Sequence, residues 1–161
     1  MTSLRQAWRT GRAGSLRRLQ RVEEPIAPPG PGEARLRVEA IGVNFADIFA
    51  CLGLYSATPE GSFVPGLECA GVIEALGPGS AGQRWRAGDR VIALTRFGAY
   101  ATALNASLDH LLAVPEGWTT LQAAAHPVQA LTAWYGLVEL GAVSAGDTVL
   151  VQSAAGGVGL R

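Results

Sequence analysis

Short apolar runs, separated by Gly, Pro, Asp and Asn, fill the chain from Leu4 to about Leu112. This punctuation is typical of an all-β domain, because glycine and proline end strands while alternation gives each strand one buried face. In residues 35–40, Leu36, Val38 and Ala40 share a face that we expect to be core. Short strands at this spacing favour a barrel or a sandwich. Further strands are predicted at residues 68–75, 90–94, 100–104 and 111–114, with turns at "GPGSAG" (77–82) and "RAGD" (86–89).

The first 21 residues carry six arginines and no acidic residue, a composition that also suits an organellar transit peptide. Residues 11–14 contain two glycines, which divide this stretch into two short segments. We therefore predict the two strands of a hairpin in place of one amphipathic helix. The sequence "PIAPPGPGE" (25–33) is too rich in proline for a helix or a central strand, so it is predicted to be a surface connection.

The character of the chain changes after "VPEGW" (114–118). The stretch 119–140 is rich in Ala, Leu and Gln, and Thr119 or Thr120 is the predicted N-cap of a helix that begins near Leu121. Pro127 is expected to divide the stretch into two helices. Residues 148–152 are predicted to form a strand that leads into a glycine-rich turn at 153–159, which is the opening of a βαβ unit. These patterns predict one domain at 1–118 and the start of a second at 119–161.

The bulk composition limits the class of partner. The 161 residues include 13 basic and 13 acidic side chains, so the formal net charge is zero. We expect no nucleic acid and no anionic membrane as partner, because both are attracted by positive charge. No apolar run approaches the ~20 residues that a membrane span needs. Cys51 and Cys69 do not form a disulfide framework, and we interpret them as buried thiols of a cytoplasmic protein.

Six motifs, in order, resemble one family: "GPGEARLRVEAIGVNFADI", "GLYS", "VPGLECAGVIEALGPG", "RAGDRVIAL", "LTAWYGL" and "GDTVLVQSAAGGVGL". The chain resembles the medium-chain dehydrogenases/reductases, and in particular their zinc-independent quinone oxidoreductase branch. The resemblance implies a mostly β, barrel-like GroES-like catalytic domain next to a Rossmann domain that binds NADPH. It implies hydride transfer to a quinone or to the β-carbon of an α,β-unsaturated carbonyl (an enone). We expect the full-length form to be a homodimer.

The resemblance also locates the positions of zinc ligands. Zinc-dependent members place a cysteine where this chain has Asn44, a histidine where it has Leu67, and a third ligand near Val128. These three side chains cannot bind Zn²⁺, which needs thiolate, imidazole or carboxylate ligands. Without a Lewis acid, alcohol oxidation is disfavoured and conjugate reduction is favoured. We therefore predict no metal site.

The resemblance assigns roles to three polar side chains. Asn44 is expected to hydrogen-bond the nicotinamide ribose or a substrate carbonyl, although an asparagine here can also be a simple turn residue. Tyr55, in "GLYS", could donate a hydrogen bond to the acceptor oxygen or form a flat wall for a quinone ring; the alternative is a rim tyrosine packed on its neighbours. Thr132 matches a hydroxyl near the nicotinamide carboxamide, and it could equally bond the carbonyl one turn back.

The glycine-rich turn supplies the remaining cofactor contacts. Ala154 replaces the first glycine of the dinucleotide fingerprint, as is common in the quinone reductase branch. Gly156 and Gly157 would let the backbone approach the pyrophosphate, and Gly159 would allow close helix packing. The predicted cofactor-binding residues of the turn are Ala155, Gly156, Gly157, Val158 and Gly159.

Four other polar residues are predicted to be structural. Asp47 is expected to accept hydrogen bonds, and Glu68 to order the floor of the cleft. His126 is interpreted as a satisfied or partly exposed residue, and His110 as a surface residue.

The helix that should follow the turn does not occur in these 161 residues, nor do the later strands of a nucleotide domain. We therefore expect incomplete NADPH binding and little activity from this chain alone. Two alternatives remain at the sequence level. One is a truncated, non-catalytic paralogue that acts as an interaction module, and the other is the enoyl-reductase portion of a polyketide synthase.

Overall fold

The computed structural model describes residues 3–79 and 84–161. The chain begins with a hairpin in which β1 (Ser3–Thr10) pairs antiparallel with β2 (Leu19–Ile26), Thr10 lying opposite Leu19. The two strands are joined through Gly11, Gly14 and a short 3₁₀ turn at Leu16–Arg18. The hairpin predicted from the glycines is confirmed, although its second strand extends to Ile26.

A five-stranded antiparallel sheet follows, with the strand order β6-β3-β4-β5-β7. Its strands are β3 (Glu33–Ile41), β4 (Glu68–Leu76), β5 (Arg90–Leu94), β6 (Ala103–Ser107) and β7 (Leu111–Ala113). The predicted strands at 35–40, 68–75 and 90–94 are confirmed, and the one predicted at 111–114 is present but ends one residue earlier, at Ala113. The turn at 86–89 is present, with Arg86 and Asp89 hydrogen-bonded to each other, whereas part of the turn at 77–82 lies outside the described residues.

Two predicted boundaries were wrong. The strand expected at 100–104 lies at Ala103–Ser107, because residues just before it leave the sheet to contact the hairpin: Trp8 N–H donates to Tyr100 O at 2.8 Å. The connection predicted at 25–33 is shorter, since β2 continues through Pro25, opposite Leu4, to Ile26; in a two-stranded sheet every strand is an edge and proline is tolerated.

The core divides into two clusters. The larger one lies on the five-stranded sheet around Leu36, Ile73 and Leu111, all at most 1% exposed, and Val38 packs against it. Ala40 belongs to a second cluster, formed with two alanines of a later helix, because a register shift between Val38 and Ala40 turns the end of β3. The face predicted from alternation therefore packs inward, but Leu36 and Val38 pack in the larger cluster and Ala40 packs in the second.

Among the described residues, three α-helices accompany the sheet. α1 (Phe45–Leu52) was not predicted; it ends at Gly53, whose φ of 77° is left-handed. α2 (Thr120–Ala124) has Thr119 as its N-cap, and α3 (Pro127–Trp134) begins at the proline expected to divide the stretch. α3 continues as a π-helical segment at Tyr135–Leu140. Within residues 3–79 and 84–161, no helix combines the length and the apolar character that a membrane crossing requires.

The strand predicted at residues 148–152 does not form. Residues 148–151 have no regular secondary structure, Gln152 already belongs to the following turn, and all five are exposed, with Leu150 at 86% exposure. A strand persists only when a neighbour satisfies its backbone groups, and no strand among the described residues lies beside this one. The turns that follow, from Gln152 to Leu160, agree with the predicted glycine-rich turn.

Candidate functional site

Asn44 lies between the end of β3 and the start of α1. It is the N-cap of this helix, and its backbone N–H donates to Asp47 Oδ2 at 2.9 Å. Asp47 Oδ2 also accepts a hydrogen bond from the Tyr100 hydroxyl at 3.2 Å. Asp47 is therefore the structural acceptor that the sequence predicted, and it holds the first turn of α1 against the segment that precedes β6.

Glu68 is fully buried at the first position of β4, where both of its carboxylate oxygens accept hydrogen bonds. Asn44 Nδ2 donates to Oε1 at 2.8 Å, and the backbone N–H of Val128 donates to Oε2 at 2.8 Å. The side chain passes close to Gly42, where a Cβ atom would overlap Glu68 Oε1 and lie 2.5 Å from the carbonyl oxygen of Ala124. We call this arrangement the Asn44–Glu68–Val128 network.

Two buried carboxyl groups lie close together in this region. Burial raises the pKa of Asp47, and the hydrogen bond from the Asn44 amide opposes that rise. Burial likewise raises the pKa of Glu68; the donors Asn44 and Val128 oppose the rise, while the charge of Asp47 adds to it. Burial together with the Asp47 charge raises the pKa of the Tyr100 hydroxyl, so this group acts as a hydrogen-bond donor.

Two residues of the network, Asn44 and Val128, occupy positions at which the family resemblance locates zinc ligands. Asn44 and Val128 are joined through Glu68, and the third position, Leu67, is half-buried, with its carbonyl accepting from Thr95 N–H at 2.8 Å. Within the described ranges 3–79 and 84–161, no three His, Cys, Asp or Glu side chains are grouped so that they could hold a metal ion. This set of donors does not fit Zn²⁺.

An open cavity of about 360 Å³ brings together several of the predicted cofactor-binding residues. Thr132 of α3 lines it together with Gly156, Val158 and Gly159 of the glycine-rich turn. Ala155 and Gly157 are not part of this wall. Thr132 Oγ1 donates to the Val128 carbonyl at 2.7 Å, which is the bond one turn back that the sequence left open as an alternative.

The glycine-rich turn folds back on itself. A Cβ atom at Gly159 would lie 2.6 Å from Ala154 Cα and 2.6 Å from the Ser153 carbonyl oxygen, so a larger residue would have to open the turn. At Gly157 a Cβ atom would lie 2.6 Å from the Gln129 side chain of α3. The absence of a side chain at Gly159 thus allows the turn to close, whereas at Gly157 the flexible Gln129 side chain fills the space that a Cβ would take.

Tyr55 is not joined to the network. Its ring is half-buried in the loop after α1, and its carbonyl accepts hydrogen bonds from the Thr58 amide at 2.9 Å and from the Thr58 hydroxyl at 2.6 Å. His126 is partly exposed, and its ring packs edge-on against Trp118 at a centroid distance of 4.8 Å. Burial lowers the pKa of His126. His110 is exposed, and Cys51 and Cys69 are free and buried, as predicted.

The β domain and its network have the architecture of a dehydrogenase-type domain, and α3 and the glycine-rich turn follow it in the chain. Residues 30–126, more than half of the chain, match the alcohol dehydrogenase GroES-like domain. The chain belongs to this family. Its structural neighbours are quinone oxidoreductases and VAT-1 homologues, members of the zinc-independent branch of the medium-chain dehydrogenases/reductases.

Three relatives indicate the range of this similarity. The chain is 40% identical over 146 residues to the mycocerosic acid synthase-like polyketide synthase of Mycobacterium tuberculosis, covering 91% of this chain and 7% of the synthase. It is 40% identical over 149 residues to the human synaptic vesicle membrane protein VAT-1 homolog, covering 91% of this chain and 37% of that protein. The Escherichia coli quinone oxidoreductase solved in complex with NADPH superposes with a TM-score of 0.86 at 33% identity, covering 98% of this chain and 47% of that one. The chain therefore spans less than half the length of each.

Proposed function

We propose that residues 1–118 and 119–161 form the catalytic domain and the first part of the nucleotide-binding domain of an NADPH-dependent reductase that acts without zinc on a quinone or an enone. The observation that carries this proposal is the Asn44–Glu68–Val128 network, in which a buried carboxylate joins two of the three positions where a zinc-dependent enzyme needs metal ligands. The quinone oxidoreductases among the structural neighbours support the same reaction class.

The cofactor proposal rests on the cavity beside α3. Thr132 and the backbone of Gly156 and Gly159 line a space of about 360 Å³, which accommodates part of a dinucleotide. When bound, NADPH supplies the hydride that becomes the new C–H bond of an enone at its β-carbon, and water supplies the proton for the enolate. Because the cavity is open and residues 148–152 are exposed, we expect weak binding by this chain alone.

Two side chains are proposed to act on the acceptor or the cofactor. Asn44, partly exposed at the N-cap of α1, would hydrogen-bond the nicotinamide ribose or the substrate carbonyl. Tyr55, half-buried beyond the end of α1, would donate to the acceptor oxygen and stabilise its developing negative charge. Both cysteines are free and buried, which fits our proposal of a reducing, cytoplasmic location.

The test is an NADPH oxidation assay with a 1,4-quinone and with an α,β-unsaturated ketone, performed on this chain and on the longest reading frame that contains it. We expect activity with at least one acceptor in the longer protein, no loss of it in the presence of a zinc chelator, and little activity in the 161-residue chain. Turnover of an alcohol that depends on added zinc, with neither acceptor reduced, would contradict the proposal.

A pair of asparagine variants sharpens the assay. Asn44→Ala should lower kcat by about tenfold or more, because one oriented hydrogen bond to the reacting system is lost. Asn105→Ala is the matched control, since Asn105 bonds Arg35 and the Ala27 carbonyl at the sheet edge and touches no part of the network. Equal loss in both variants would show that Asn44 contributes only to folding.

A second candidate is the enoyl-reductase part of a polyketide synthase, which the 40% identity to the mycobacterial synthase favours. Its acceptor would also be an α,β-unsaturated carbonyl, but presented as a thioester. The same assay with an enoyl thioester distinguishes the two: a clear preference for the thioester over the quinone and the ketone favours the synthase candidate.

A further inference from the structure

Hydrogen bonds run without interruption from Asn44 to Thr132. Asn44 Nδ2 donates to Glu68 Oε1, the Val128 amide donates to Glu68 Oε2, and Thr132 Oγ1 donates to the Val128 carbonyl, over distances of 2.7 to 2.8 Å. The two ends of this chain of bonds are the residues proposed above to contact the cofactor. They come from α1 and α3, which are far apart in the sequence.

The position requires a side chain with two acceptors. Glu68 is 0% exposed, so a donor left without an acceptor here would carry the full cost of desolvation. The Val128 N–H belongs to the backbone of α3 and cannot turn away. A glutamine side chain has one acceptor oxygen and one NH₂ group, which only donates. If its oxygen accepted from the Val128 N–H, its NH₂ group would face Asn44 Nδ2, and two donors would meet. Gly42 supplies the space, because any Cβ there would overlap Glu68.

We propose that Glu68 is a positioning residue, which holds Asn44 and Thr132 in a fixed relation by bonding the Asn44 amide and, through Val128, the first turn of α3. This inference rests on the proposed function, because it concerns the two side chains assigned there to the cofactor. Because Glu68 is fully buried, its proposed role requires no contact with cofactor or substrate. Its contribution is one buried carboxylate that bonds residues of both 1–118 and 119–161, beside the packing of Ala123 and Ala124 on the sheet.

The first test uses NMR of the ligand-free 161-residue chain and does not depend on activity. In Glu68→Gln we expect the Asn44 side-chain amide resonances to move and its exchange with solvent to rise about tenfold, the equivalent of one net hydrogen bond. Glu74→Gln is the matched control on the same strand, because Glu74 is exposed and lies 4.0 Å from Arg37 at the surface. Unchanged Asn44 resonances in a folded Glu68→Gln chain would overturn the proposal.

A second variant covers the case in which Glu68→Gln does not fold. Asn44→Ala leaves Glu68 in place, and we expect it to shift the resonances of the Val128 amide and of Thr132. Thr119→Ala is its control, because it also removes the N-cap of a helix and Thr119 is nearer to Val128 in the sequence. Thr119, however, bonds Gln122 and not Glu68. If Asn44→Ala and Thr119→Ala perturb Thr132 equally, the proposed connection does not exist.

A purely structural role of Glu68 would not affect the coupling between Asn44 and Thr132, which is measured as the shift of Thr132 resonances caused by Asn44→Ala. In a folded Glu68→Gln chain, Asn44→Ala should no longer shift Thr132. Titration of the wild-type chain with NADPH then separates the two proposals. If NADPH shifts no resonance of Thr132 or Gly156–Gly159 at millimolar concentration, the cofactor proposal fails, whereas the role of Glu68 is decided by the ligand-free spectra alone.

Discussion

The five-stranded sheet and the C-terminal residues contain the same kinds of apolar side chain, but only the sheet buries them. Leu36 and Ile73 are at most 1% exposed, whereas Leu150 is 86% and Val151 47% exposed. Both segments have a strand-like sequence. The difference lies in pairing, because β3 and β4 bond each other and a further strand on the opposite side, while residues 148–152 pair with no described strand. Apolar character thus becomes a core only where neighbours complete the sheet.

Hydrogen exchange should show the largest difference between the two regions. Amides of β4, which lies between β3 and β5, should be protected at least roughly a thousandfold more strongly than amides of residues 148–152, because the former open only with the whole domain. Exchange measured residue by residue by NMR on the 161-residue chain would check this. Comparable protection in both regions would mean that residues 148–152 have found a partner, such as a second copy of the chain.

Matched leucine substitutions should give the next largest effect. Leu36→Ala removes a side chain that is 0% exposed in the main core, and we expect it to lower the free energy of unfolding by about 3 kcal/mol. Leu150→Ala, at an exposed position, should change it by less than about 0.5 kcal/mol. Urea denaturation followed by circular dichroism measures both. A large loss from Leu150→Ala would show that the C-terminal residues pack in solution.

The sequence predicted the strands well wherever turn residues or alternation marked a segment that also pairs with a neighbouring strand. β5 was placed correctly at residues 90–94, since the turn at 86–89 determines its start and alternation its length. α1 was missed because "FADIFACL" is only eight residues long and its one charged residue, Asp47, lies on the buried side while Phe45 and Phe49 are exposed. The signals that would have found it are Asn44 with Asp47 three residues later, and Gly53 as the C-cap.

The sequence identified individual residues of the candidate site, but it did not predict which of them are hydrogen-bonded to each other. Asn44 and Thr132 were chosen from motifs, and the metal-binding residues were seen to be absent, yet nothing local indicates that Glu68 joins Asn44 to Val128. These residues are distant in sequence, and the two hydrogen bonds exist only because β3, β4 and α3 meet. The one local sign is Gly42, whose need for glycine is explained by the buried carboxylate beside it.

A substitution at Gly42 tests the packing around the buried Glu68 side chain, and its expected effect on the free energy of unfolding is smaller than that of Leu36→Ala. Gly42→Ala places a Cβ where Glu68 and the Ala124 carbonyl already lie, and we expect a loss of about 2 kcal/mol in the free energy of unfolding. Gly11→Ala is the control, since nothing lies within 4 Å of its Cβ position. Thermal denaturation of both variants provides the measurement. Equal stability of the two would mean that Glu68 moves aside at no cost.

The smallest expected effect concerns charge. The hydrogen bonds from Arg9, together with Arg5, lower the pKa of Glu24 below its ordinary value of 4.5, and Arg5 and Arg9 both lie 2.7 Å from its carboxylate. Because the folded state holds the ionised form, this stabilisation is complete above pH 4.5 and is lost as the pH falls through the lowered pKa. Glu24→Gln should therefore cost about 1 kcal/mol at pH 7 and progressively less at acidic pH.

The difference between wild type and Glu24→Gln isolates this contribution from that of Asp47 and Glu68. Burial raises the pKa values of those two groups, so the stability they contribute is greatest at low pH and decreases as the pH rises. Glu139→Gln, in the exposed C-terminal region, is the control and should leave stability unchanged at every pH. Urea denaturation from pH 3 to 7 measures all three chains. If the Glu24→Gln difference stays constant with pH, the arginines hold Glu24 by packing and hydrogen-bond geometry and not by its charge.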